Sequence, residues 1–114
     1  MQKNWYAVYT KPHCERKVSL LLTRKGIESF CPLNNKRTEH LFYNKVFQEP
    51  VFKSTVFVRT TATDIVSLNK RIDYILNPLF LRKEPAIINV DEIEAIKEFT
   101  DNYREIGFEK LDLN

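Results

Sequence analysis

Apolar and polar positions alternate most regularly over residues 55–60, where Val56, Val58 and Thr60 fall on one side of an extended chain and Thr55, Phe57 and Arg59 on the other. Pro50 imposes an extended entry to this segment, and its β-branched and aromatic content predicts a strand. Residues 4–10 repeat the pattern, with Trp5, Ala7 and Tyr9 set against Tyr6 and Val8, and predict a central first strand. Between the two, the apolar period changes. Cys14, Val18, Leu21 and Leu22 recur at helical spacing, with Pro12 in the first turn, Glu15 at the positive end and Gly26 as the stop.

Residues 27–33 predict a second strand carrying Ile27, Ser29 and Cys31 on one side, with Pro32 marking an edge or bulge. A polar stretch over 34–40, with Lys36, Arg37 and His40, and a recovering apolar pattern over 41–47 predict a long arm or hairpin. A further strand includes part of 45–51. Thr63 or Asp64 is placed to cap a short helix whose Ile65, Leu68 and Ile72 share one face. Residues 74–81 predict a strand interrupted by Pro78. Asn89 to Glu92 then has capping-box spacing ahead of Ile93, Ile96, Phe99 and Tyr103.

The order strand, helix, strand, strand, helix, strand, with an added helix, predicts an α+β fold: a four-stranded antiparallel sheet with helices on one face, an α/β plait of the ferredoxin-like and RNA-recognition type. The other sheet face would lack helix cover and must be either polar or used. The expected domain covers residues 1–103, with 104–114 a charged tail. A chain of 114 residues with 43% hydrophobic content fits one such domain and buries roughly 65% of its unfolded surface. Two glycines leave no glycine-rich phosphate loop.

Lys and Arg number 18 against 15 Asp and Glu, a mild +3 balance that permits contact with nucleic acid without demanding it. The basic residues dominate the first half of the chain, and the acidic ones cluster after Glu84. Lys11, Lys17, Arg24 and Lys25 lie on or beside the first helix, and Lys70 and Arg71 end the second. Singly they read as solvated surface; together, on two elements of one layer, they form a candidate DNA or RNA contact.

His13, Cys14, Cys31 and His40 lack metal-ligand spacing, and Cys14 and Cys31 read as free thiols, so neither a metal nor a cofactor is expected. Cys14 with a histidine has no nucleophile signature around it, and Glu92 and Glu94 point to different sides of a helix. No catalytic residue, and no small-molecule substrate, is therefore expected. The start of the chain is no targeting segment and no apolar run reaches a membrane span, which places the protein in the cytoplasm by expectation. Residues 53–60 can be laid on the longer RNA-recognition signature, where Lys53, Phe57 and Val58 match, but Thr55 and Thr60 stand where two aromatic positions fall. A single-stranded RNA-binding module remains the second reading.

Three segments together carry a more specific likeness. Trp5-Tyr6-Ala7-Val8-Tyr9-Thr10-Lys11, Glu15-Arg16-Lys17-Val18 with Gly26-Ile27-Glu28-Ser29-Phe30-Cys31-Pro32, and Glu49-Pro50-Val51-Phe52 leading to Val56-Phe57-Val58 resemble the N-terminal (NGN) domain of the NusG family. They are most similar to its specialised antiterminator branch, typified by RfaH and the UpxY proteins of polysaccharide operons. The resemblance implies a transcription elongation factor, not an enzyme, that binds the clamp helices of the largest RNA polymerase subunit through an apolar patch on the sheet and promotes processive elongation and antitermination. The matching patch positions are Tyr9, Phe52, Thr55 and Phe57. It also implies contact with the non-template DNA strand, for which Lys11, Arg24, Lys25, Lys70 and Arg71 are the matching positions. Residues 104–114 would then begin a linker to a KOW domain. Where the family commonly has Phe-Pro-Gly-Tyr, this chain has Phe52-Lys53-Ser54-Thr55, without the turn-forming proline and the second aromatic.

Overall fold

The computed structural model describes residues 2–39 and 44–100. In chain order these form β1 (Lys3–Thr10), α1 (Glu15–Arg24), β2 (Glu28–Phe30), β3 (Leu33–Glu39), β4 (Asn44–Pro50), β5 (Thr55–Thr61), α2 (Ala62–Arg71), β6 (Ile75–Pro78), β7 (Phe80–Leu81), β8 (Glu84–Pro85) and α3 (Val90–Phe99). The expected α+β fold is present. A four-stranded antiparallel sheet runs in the order β2-β5-β1-β6. The arm foreseen from the polar stretch is a separate antiparallel hairpin of β3 and β4, paired from Leu33 with Pro50 to Glu39 with Asn44.

The alternation of β1 and β5 divides the interior in two. Tyr6, Val8, Val56 and Val58 point to one face, where Val18 and Leu22 of α1 and Ile65 and Leu68 of α2 bury them, with Ile72 and Ile75 closing the end. Each helix holds its place by its local chemistry. Gly26, with φ 78°, lets Ile27 N–H donate to Leu22 O and Gly26 N–H to Thr23 O, the pair of bonds that ends α1 in a left-handed cap. Ser29 and Ser19 hydroxyls share a buried 2.7 Å hydrogen bond that ties α1 to β2. α2 is capped by Thr61, whose hydroxyl accepts from Asp64 N–H, so the cap falls ahead of the Thr63 or Asp64 expected from sequence. The chain enters α2 straight from β5, which brings the preceding threonine within reach of the third amide.

The opposite face is not bare along its whole length. Trp5, Ala7, Phe30 and Phe57 form a second core beneath Ile93 and Ile96 of α3, with Leu79 and Ile88 at its margin. Asn89 caps α3 by accepting from Asp91 N–H at 2.8 Å. Lys97 lies over both Trp5 and Phe30, 5.9 and 5.6 Å from their ring centroids, so the helix seats an amphipathic cation on the aromatic pair. Helical spacing led the third helix to Tyr103; α3 ends at Phe99, and Tyr103, like His40 and the expected tail 104–114, lies outside the described residues. No helix among the described residues is long and apolar enough to cross a membrane.

Candidate functional site

The register of β1 on β5 sets Trp5 opposite Arg59, Ala7 opposite Phe57 and Tyr9 opposite Thr55 on the second face. The first of these rows lies against α3, and the second is shared with it. The Tyr9–Thr55 row is left open, with Tyr9 42% exposed. Phe52, 39% exposed, closes this end of the face by standing edge-on against Phe57 at 5.5 Å and 87°. Phe57 in turn stacks on Phe30 at 5.9 Å.

Phe57 therefore differs from expectation: it is 5% exposed, a buried support rather than a contact surface. Its side of β5 was correctly read as the face opposite α1 and α2, but the seating of α3 on that face could not be placed from sequence. Tyr9 pairs with Thr55 across the two central strands, and Phe52 stands against Phe57 in the next row. Leu76 is a further exposed apolar residue on the neighbouring strand: Ile75 pairs with Thr10 and is buried in the first core, and Leu76, next along β6, is 43% exposed. The interruption by Pro78 and the register shift between Val8 and Thr10 hid its alternation in the sequence.

The turn that presents Phe52 is built from polar tethers. Val51 N–H donates to Pro32 O at 2.9 Å, Thr10 N–H donates to Ser54 O at 2.9 Å, and Ser54 N–H donates to a Glu15 carboxylate oxygen at 2.7 Å. The Thr55 hydroxyl donates to Lys53 O at 3.0 Å. Ser54 is left-handed, with φ 55°. It stands where the resemblance places the glycine of Phe-Pro-Gly-Tyr, and its backbone has a conformation that suits glycine. Behind the turn lies a cleft of about 310 Å³ lined by Pro12, His13, Glu15, Glu49, Pro50, Lys53 and Ser54. His13, at φ 63°, is left-handed as well.

The basic residues do not form one group. Lys11 N–H donates to Tyr74 O, and the Lys17 ammonium donates to the Tyr74 hydroxyl at 2.8 Å while lying 4.2 Å from the ring centroid. The Tyr74 contact raises the Lys17 pKa above the usual lysine value. Tyr74 follows closely on Lys70 and Arg71 at the end of α2, so these and Lys11 lie at one end of the helical layer. Arg24 and Lys25 lie at the far end of α1, roughly 14 Å along its axis at 1.5 Å per residue. Arg71 is within 3.9 Å of Asp64. Lys17, one of the basic residues noted on α1 but outside the matching DNA positions, belongs with Lys11 by geometry.

The thiols are placed apart: Cys14 precedes α1, and Cys31 is fully buried beside Leu33 and Leu20, where burial pushes its thiol up to about 12. Among the described residues no group of three His, Cys, Asp or Glu side chains could hold a metal ion.

The sequence profile of the family described as "Transcription termination factor nusG" matches residues 3–97. That span holds the whole four-stranded sheet and most of α3, and the chain belongs to the NusG family. No curated protein matches it. The family is one of transcription factors, and its domains interact with RNA polymerase.

Ser54→Gly should stabilise the domain by about 0.5–1 kcal/mol, because relief of a left-handed non-glycine residue outweighs the greater freedom of glycine in the unfolded chain. Denaturant unfolding measures this; a loss of stability would mean that the serine side chain, not the backbone, holds the turn.

Proposed function

We propose that this chain is the polymerase-binding domain of a transcription elongation and antitermination factor of the specialised RfaH/UpxY-like branch, serving a polysaccharide operon. Its apolar patch of Tyr9, Phe52, Thr55 and Leu76, supported from below by Phe57, would engage the clamp helices of the largest RNA polymerase subunit. One observation supports the reading: Trp5, Ala7 and Phe57 of the second sheet face are buried with α3, whereas the next row, where the matching patch positions Tyr9 and Thr55 stand, is open and has Phe52 at its edge. No reaction is required of such a domain. Binding energy directed at one state of the polymerase, the closed clamp, shifts the population toward that state and so suppresses pausing and termination.

The RNA-recognition reading loses support. That mode stacks bases on aromatic rings at the centre of an open sheet. Here the central ring, Phe57, is buried between Phe30 and Phe52, and α3 seals the rest of that core.

Contact with the exposed non-template strand is the second part of the proposal, and the grouping around Tyr74 favours Lys11, with Lys70 and Arg71 near it, over Arg24 and Lys25. Lys11→Ala should weaken binding of single-stranded DNA and lower the slope of log affinity against log salt by about 0.7, the contribution of one phosphate contact on a single strand. An unchanged slope removes Lys11 from the DNA contact.

For the polymerase contact, Phe52→Ala should weaken binding to RNA polymerase elongation complexes by tenfold or more, roughly 1.4 kcal/mol, while costing about 1 kcal/mol of stability because the ring is only half-buried. A stability loss of ~3–5 kcal/mol with affinity unchanged would make Phe52 a core residue and overturn the assignment.

A further inference from the structure

Glu15 is an unusual residue in its surroundings. It is 6% exposed, stands in the first turn of α1, and forms no ion pair among the described residues. A buried carboxylate needs hydrogen bonds to offset its lost hydration. Two features of the fold supply this: the positive end of α1 and the Ser54 N–H at 2.7 Å. The second is the informative one, because Ser54 belongs to a different part of the chain, the turn that carries Phe52.

From this we infer that Glu15 is a positioning residue for the polymerase-binding patch: its carboxylate holds the turn at Ser54 and thereby fixes the direction in which Phe52 is presented. The inference rests on the polymerase reading of that patch. Ser54 is gripped from both sides, its N–H by Glu15 and its carbonyl by Thr10 N–H. These two bonds select the left-handed conformation at φ 55° that a serine does not favour unaided. The grip is needed because the turn has little else behind it. The cleft of about 310 Å³ lies between the turn and the start of α1, so apolar packing does not prop Lys53 and Ser54 from that side. Phe52 is 39% exposed and stands edge-on against Phe57 of the folded body. In the family pattern Phe-Pro-Gly-Tyr, a proline and a glycine set the turn by their own backbone preferences. In Phe52-Lys53-Ser54-Thr55 neither is present, and the work of selecting the conformation passes to a tether from outside the turn.

A carboxylate at a helix start also stabilises the helix by its charge, and two substitutions separate that from positioning. Glu15→Asp keeps the charge at the start of α1 but shortens the side chain by one methylene, withdrawing the acceptor from Ser54. Glu15→Gln removes the charge but keeps an oxygen acceptor at the same reach. Positioning predicts that Glu15→Asp weakens binding to RNA polymerase elongation complexes by about tenfold while Glu15→Gln stays within about twofold of the parent. The Ser54 amide proton resonance should shift upfield in Glu15→Asp as its hydrogen bond is lost. Combined with Phe52→Ala, Glu15→Asp should have no further effect on affinity, since it acts through that ring.

A purely structural carboxylate gives the reverse order, with Glu15→Asp near the parent and Glu15→Gln weakened, and that result overturns the inference. So does a Glu15→Asp loss that persists in full in the Phe52→Ala background. If Phe52→Ala alone leaves affinity unchanged, the polymerase reading itself falls and this inference with it; if Phe52→Ala weakens binding and Glu15→Asp does not, only the role of Glu15 falls.

Discussion

The pairing of β1 with β5 is the constraint on which the rest of the molecule depends. Seven residue pairs, from Lys3 with Thr61 to Tyr9 with Thr55, lock the two central strands in one register. Because side chains alternate, a slip of one residue would send Val56 and Val58 to the face of α3 and Phe57 to the face of α1 and α2, and both cores would be lost together. The same register lays the second face out in successive rows. Trp5 and Ala7 fall where α3 can cover them, and Tyr9 falls beyond its reach.

That division leaves one face with a packed core at one end and an open row at the other. A large exposed apolar surface invites non-specific association, and the fold keeps it small by committing most of the face to a second core. Phe57 lies between the two. It is buried against Phe30 on the core side and supports Phe52 on the other, so the exposed ring is backed by a packed one. A half-exposed aromatic on a firm base loses less conformational freedom on binding than one on a mobile loop, which suits it to act as an anchor. The turn that carries it is fixed differently, by hydrogen bonds to Pro32, Thr10 and Glu15 contributed by three separate parts of the chain.

The strands and helices that alternate or repeat cleanly were legible from sequence. Val56 and Val58 against Phe57, and Ile65, Leu68 and Ile72 on one side of α2, needed only local periodicity, and the left-handed stop at Gly26 followed from residue type. What periodicity cannot carry is where a helix seats itself. The spacing of Ile93 and Ile96 defines an apolar stripe without naming the surface it meets, so Phe57 was expected to be exposed when α3 in fact buries its neighbourhood. Leu76 was missed because the shift between Val8 and Thr10 breaks the pairing pattern that would have revealed it. The basic residues were visible as charges, but only the contacts of Tyr74 with Lys11 and Lys17 sort them into two ends of the helical layer. The role of Ser54 could be suspected from a departure in the turn; its tether to Glu15 spans 39 positions and leaves no local trace.

Polymerase binding at the uncovered row of the second face can be read by mapping amide chemical-shift changes in the domain on addition of the isolated clamp-helix coiled coil. Binding there concentrates the changes at Tyr9, Phe52, Thr55 and Leu76 and leaves the α1 and α2 surfaces unaffected. Changes confined to the helical face, or none at concentrations where polymerase itself binds, would contradict it.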